Sequence, residues 1–70
     1  MEPRQRVGDN NKARRTELGI TQEEAALRSR LHTVEFGRAE RGMRDLRIST
    51  LSKIADGLNV TAAELVRGIP

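Results

Sequence analysis

Apolar positions along this chain recur at spacings of three and four rather than two, and short polar or glycine-bearing breaks separate the recurrences. Val7, Arg14 and Leu18 share one face of a first helix predicted over about 4–18, with Gly19 just past its end as a stop. Thr21 with Glu24 three residues on is a capping box, which starts a second helix at Gln22, and that helix is not expected to continue past Arg28 to Leu31, since the next segment starts a new phase. His32 or Thr33 can cap a third helix over about 33–41. Glu35 sits in its first turn, where the helix dipole favours an anion, and Gly42 ends it. Ser49 is the predicted cap of a fourth helix, with Leu51, Ile54, Ala55 and Leu58 at helical spacing and Asn59 suited to a left-handed exit. Thr61 with Glu64 repeats the capping box and opens a fifth helix running to Gly68. No run of four or more residues alternates strictly between apolar and polar with β-branched side chains. The expected class is therefore all-α, a compact five-helix bundle.

Composition narrows this further. Seventy residues make one core and one domain over 1–70, since so short a chain buries only about 60% of its unfolded surface. The segments 1–5 and 69–70 are expected to fray. With 36% hydrophobic, 33% charged and 1% aromatic residues, that core must be small. Without cysteine it has neither a disulfide nor a thiolate metal site to reinforce it. The longest apolar run, Ala25 to Leu27, is far short of the roughly 20 residues a membrane span requires. No signal-peptide core is present. These features predict a soluble cytoplasmic protein with no membrane partner.

Net charge is +3, and all of the excess lies in the middle of the chain. Both flanks balance, whereas residues 28–47 set Arg28, Arg30, Arg38, Arg41, Arg44 and Arg47 against Glu35, Glu40 and Asp45. A local arginine cluster is the footprint expected of polyanion binding, although a solvated charged face has the same composition. Catalysis finds no support. His32 is the lone histidine, no serine, histidine and aspartate arrangement can be argued, and neither a glycine-rich phosphate loop nor a metal-ligand spacing occurs. No enzyme activity, cofactor or metal is expected.

Two short helices joined by about four residues, the second flanked by arginine, have the pattern of a helix-turn-helix, whose second helix commonly enters a DNA major groove. Here the sequence resembles the Xre, or Cro and repressor, type of helix-turn-helix transcriptional regulator over about residues 7–67. "VGDN" and Arg15 in the first helix, "LGITQEE" leading into the second and "RSRLH" at the turn carry the resemblance. So do "ERG" closing the third helix and "STLSKIADGLNVTAAEL" through the last two. The resemblance implies that Gln22–Ser29 is the positioning helix and about Thr33–Arg41 the recognition helix. It places Thr33 and Val34 at DNA base edges, with Arg38 one turn further on the same face. It places Gln22 at a phosphate, and Arg30, Arg41 and Arg44 are expected on the phosphate backbone as well. Arg15 and Glu40 match a pair that joins the first helix to the end of the third.

Departures from that family pattern explain the chain's only phenylalanine. Ala25 and Ala39 stand where the family usually has leucine, while Phe36 replaces an isoleucine or valine. Residues 36 and 39 share a helix face that must pack on the helix containing Ala25. Phe36 is thus expected to be an interhelical wedge that restores the missing volume. Arg30 stands where the family prefers glycine in a left-handed turn, Asn11 occupies a usually apolar position, and Leu46 replaces a common proline.

The expected function is sequence-specific binding of double-stranded DNA by a nucleoid-associated bacterial regulator. Because one helix reads only about half a turn of duplex, a homodimer on a two-fold operator is expected. Leu58, Val60, Leu65 and Val66 are its candidate interface, unless they complete the core. The alternative is a protein-binding module of the same fold, such as an antitoxin or transcription-factor adaptor. With no second domain in view, control is expected to act through protein concentration.

Overall fold

A computed structural model describes residues 2–69 as five helices: α1 (Pro3–Leu18), α2 (Gln22–Arg28), α3 (Thr33–Glu40), α4 (Ile48–Leu58) and α5 (Ala62–Leu65). No strand occurs among the described residues, so the all-α bundle expected from periodicity is the one observed. Met1 and Pro70 lie outside the described residues. Pro3, Arg4 and Gln5, within the stretch expected to fray, are helical. Proline at a helix start has its φ already set and loses no intrahelical bond.

Four of the five helices stop in the same way. After α1, Ile20 N–H donates to Arg15 C=O (3.3 Å) and Gly19 N–H to Thr16 C=O (3.0 Å). Leu31 and Arg30 repeat this after α2, Met43 and Gly42 after α3, and Val60 and Asn59 after α4. Each pair of bonds closes a Schellman motif around one left-handed residue. Three of those residues suit it: Gly19 (φ 68), Gly42 (φ 69) and Asn59 (φ 56). The fourth is Arg30, at φ 57, so the strain expected at that turn is present.

Two boundaries differ from expectation. α4 begins at Ile48, with Arg47 in the extended cap position and no side-chain cap; Ser49 lies inside the helix. α5 is a single turn rather than a helix to Gly68: beyond it the chain continues in i→i+3 turns, with Arg67 N–H on Glu64 C=O (3.4 Å) and Ile69 N–H on Val66 C=O (3.2 Å), and Asn10 Nδ2 donates to the carbonyls of Leu65 and Arg67, each at 2.9 Å. Those oxygens therefore accept from α1.

The core consists of Ala25, Ala26, Phe36, Ala39, Ile54, Ala55, Leu58 and Leu65, with Leu18, Ile20, Leu31, Leu46, Leu51 and Val60 packed against it. Half of the fully buried set is alanine. Phe36, fully buried, is the large side chain that fills the space between them. Two interface candidates are corrected here: Leu58 and Leu65 are 0% and 1% exposed. They face the inside of the bundle and cannot also meet a second subunit. Val60 and Val66 are half-buried.

Close backbone approach sets the position of α3 relative to α1. A Cβ on Gly8, the glycine of "VGDN", would lie 2.5 Å from Glu40 C=O and 2.9 Å from Ala39 C=O. Only glycine lets α1 cross the end of α3 this closely. Next to that crossing, Asn11 is fully buried and neither polar atom of its amide has a hydrogen-bond partner among the described residues.

Candidate nucleic-acid interface

The helix-turn-helix is α2, a four-residue connection over 29–32, and α3. At its start Thr21 Oγ1 accepts from Glu24 N–H (3.1 Å), as the capping box requires. His32 takes the cap position of α3, and Glu35 Oε1 accepts its backbone N–H at 3.3 Å. Ser29 is buried in the turn, against Gly57 of α4.

One face of α3 is committed to the fold and the other is open. Phe36, Ala39 and Glu40 are buried, whereas Thr33, Val34, Arg38 and Arg41 are exposed. Val34, Arg38 and Arg41 follow at four and then three residues, the spacing of a single helical stripe. Val34 is 61% exposed, one of the large apolar side chains left open with Leu27, Met43 and Ile48. The three residues expected at base edges are all exposed, Thr33 and Val34 at the start of α3 and Arg38 in its last turn.

Around this stripe all six arginines of the 28–47 segment are exposed. Arg28 pairs with Glu24 at 3.6 Å and Arg30 approaches Asp56 at 3.9 Å. Both are solvent-exposed contacts of little energetic weight. Among the described residues Arg38, Arg41, Arg44 and Arg47 form no ion pair. Arg44 and Arg47 line a recess beside α3 together with Glu35 and Asp45.

Behind the stripe, Arg15 grips Glu40 in a bidentate pair, Nε to Oε2 at 2.7 Å and Nη2 to Oε1 at 2.9 Å. Gln22 Nε2 donates to the same Oε1 at 2.9 Å, and Arg15 Nη1 donates to Ile20 C=O at 2.9 Å. Burial alone would push the Glu40 carboxyl up. The hydrogen bonds from Arg15 and Gln22, with the charges of Arg15 and Lys12, outweigh it and hold the group below its ordinary value. Its bond to Glu40 raises Arg15 in turn, against burial. The network joins α1, the start of α2 and the end of α3, so it fixes the angle at which α3 is presented. The Gln22 side chain belongs to this network, a role not legible from its position at a helix start.

Residues 12–65 match the sequence profile of the helix-turn-helix family. The chain belongs to that family. It is 39% identical over 66 residues to an uncharacterized HTH-type transcriptional regulator, y4dJ, of Sinorhizobium fredii, a match covering 94% of this chain and 86% of that one. The fold is similar to that of the restriction-modification controller protein C.AhdI from Aeromonas hydrophila, with a TM-score of 0.84 and 31% identity over 89% of this chain and 94% of that one. The clp gene regulator ClgR from C. glutamicum is alike in fold, with a TM-score of 0.86 and 23% identity over 93% of this chain and 84% of that one. As a member of this family the protein is a DNA-binding transcriptional regulator. No helix among the described residues is long and apolar enough to cross a membrane.

Proposed function

We propose that the protein reads a two-fold operator as a homodimer in the cytoplasm, at the nucleoid, with α3 in the major groove and no chemical step of its own. The observation that carries this reading is the exposed stripe of Val34, Arg38 and Arg41, with Thr33 exposed at the helix start, on a helix whose other face is locked into the core. Thr33 and Val34 would meet base edges, the valine suiting a thymine methyl, and Arg38 can form a bidentate pair with guanine. Arg30, Arg41, Arg44 and Gln22 would contact phosphates on either side. With Leu58 and Leu65 inside the core, the subunit contact is assigned to the half-buried Val60 and Val66.

Selection of bound duplexes from a random pool tests the reading, followed by sedimentation of the complex. Two inverted half-sites and two chains per duplex are expected. A protein that selects no motif and co-purifies stoichiometrically with another protein would instead act as a protein-binding module.

A further inference from the structure

One groove of the molecule is built from three helices, and its charges suit an anion. Gln5, Asp9 and Lys12 of α1, Gln22 at the start of α2, and Glu40 and Arg41 at the end of α3 line it. The Glu40 carboxylate is already engaged by Arg15 and Gln22. Lys12 lies close enough to help hold it ionised. Counting Arg15 behind it, three cations face two carboxylates, Glu40 and Asp9. Its exposed residues are Gln5, Asp9, Lys12 and Arg41, and Lys12 and Arg41 are the cations among them.

Arg41 does not extend freely from α3. Its Nε donates to Met43 Sδ at 3.4 Å. Its guanidinium lies over Gly37: a Cβ there would stand 3.2 Å from Arg41 Nη1 and 3.6 Å from Gln22 Oε1. Gly37, between the exposed residues of the stripe, is itself buried, with the Arg41 and Gln22 side chains beside it. Glycine inside a helix is costly relative to alanine, and here its lack of a side chain gives the guanidinium a seat facing the groove.

We infer that Lys12 and Arg41 form the two walls of a binding groove for one backbone phosphodiester of the duplex, with Gly37 as the positioning residue that aims Arg41 into it. This deepens the reading given above and rests on it. A phosphodiester oxygen accepts donors from several directions, as a lysine ammonium, an arginine fork and an amide opposite one another would supply. The groove adjoins the Val34, Arg38 and Arg41 stripe, so a duplex with α3 in its major groove brings a strand backbone over it. α1 thereby joins the DNA footprint.

Binding of the selected operator and of an unrelated duplex is measured across a salt series for wild type, Lys12→Gln, Arg41→Gln, Gly37→Ala and the Gly37→Ala, Arg41→Gln double variant, each first checked by thermal melting. Lys12→Gln is expected to weaken both duplexes by the same factor and to reduce the salt slope by about 0.9, the value for one phosphate neutralised. Gly37→Ala should melt higher than wild type, because alanine favours the helix, yet bind more weakly, by a smaller factor than Arg41→Gln, since a Cβ 3.2 Å from Nη1 displaces the guanidinium without removing it. The double variant should bind no more weakly than Arg41→Gln alone, since both changes act on the same phosphate interaction. An unchanged slope for Lys12→Gln, or equal losses from Gly37→Ala with and without Arg41, would overturn the inference. If wild type selects no duplex, the parent reading fails; if wild type binds and Lys12→Gln behaves like it, only this inference fails.

Discussion

Replacing Arg30 with glycine should stabilise the protein. The residue sits at φ 57 as the left-handed member of a Schellman motif, where a side chain costs about 1–2 kcal/mol. A new glycine gives back part of this by enlarging the freedom of the unfolded chain, about 0.4–1 kcal/mol. The ion pair with Asp56, which glycine cannot make, is a 3.9 Å approach between groups that are 70% and 73% exposed, worth at most a few tenths of a kcal/mol, roughly. The net gain is about 0.5–1 kcal/mol, or a rise in melting temperature of about 2–8 °C for a domain of this size. Thermal melting by circular dichroism at pH 7 reads it directly. Arg30→Ala, which keeps the strain and removes the approach to Asp56, is the control and should melt within about 2 °C of wild type on the same conversion. If the glycine variant melts with the alanine variant or below it, the turn is not strained and the reasoning fails.

Phe36→Ala should remove about 3–5 kcal/mol, as for a buried phenylalanine, and leave the chain largely unfolded at 25 °C; a folded variant that only lost DNA affinity would move Phe36 from the core to the binding surface. Glu40→Gln should cost about 3 kcal/mol at pH 7, because Arg15 then lacks its counter-charge in a buried site. Since the folded carboxyl lies below its ordinary value of 4.5, the ion pair's contribution is complete above that pH. It is lost as the pH falls through the folded value. The difference in melting temperature between wild type and Glu40→Gln should therefore shrink from pH 5 toward pH 3, about where a carboxyl titrates, and a constant difference would contradict an ionised Glu40.

Much of this architecture is legible in local signals. Thr21 and Thr61 cap the helices they were expected to cap, with Oγ1 accepting the third N–H at 3.1 Å in each case. Gly19, Gly42 and Asn59 stop helices by tolerating a left-handed turn, a property each residue carries by itself. The parts not legible depend on partners far away in sequence. At the end of α5, Asn10, 55 residues before Leu65, takes its carbonyl. Arg14 does the same at the end of α4, where its Nε meets Leu58 C=O at 2.9 Å. Periodicity shows that Leu58 and Leu65 share apolar faces, but a core and a subunit interface want the same residues, and only packing separates them. At the interface, exposure of Arg38 and Arg41 follows from the helical phase set by Phe36 and Ala39. The course of the Arg41 side chain over Gly37 depends on Gln22 and Met43 and has no local signature.

The central claim is that α3 reads bases while the arginines around it hold the backbone, and comparison of Arg38→Ala with Arg44→Ala tests it most directly. Both side chains are exposed and neither pairs with a carboxylate among the described residues, so neither change should disturb the fold. Each variant is titrated against the selected operator, its single-base variants and unrelated DNA over a salt series. Arg38→Ala should lose about 1–3 kcal/mol on the operator and relax the preference at one base pair. Arg44→Ala should weaken all duplexes alike and reduce the salt slope by about one. If both variants weaken operator and unrelated DNA by one common factor, or if neither changes binding, α3 does not read the sequence as described.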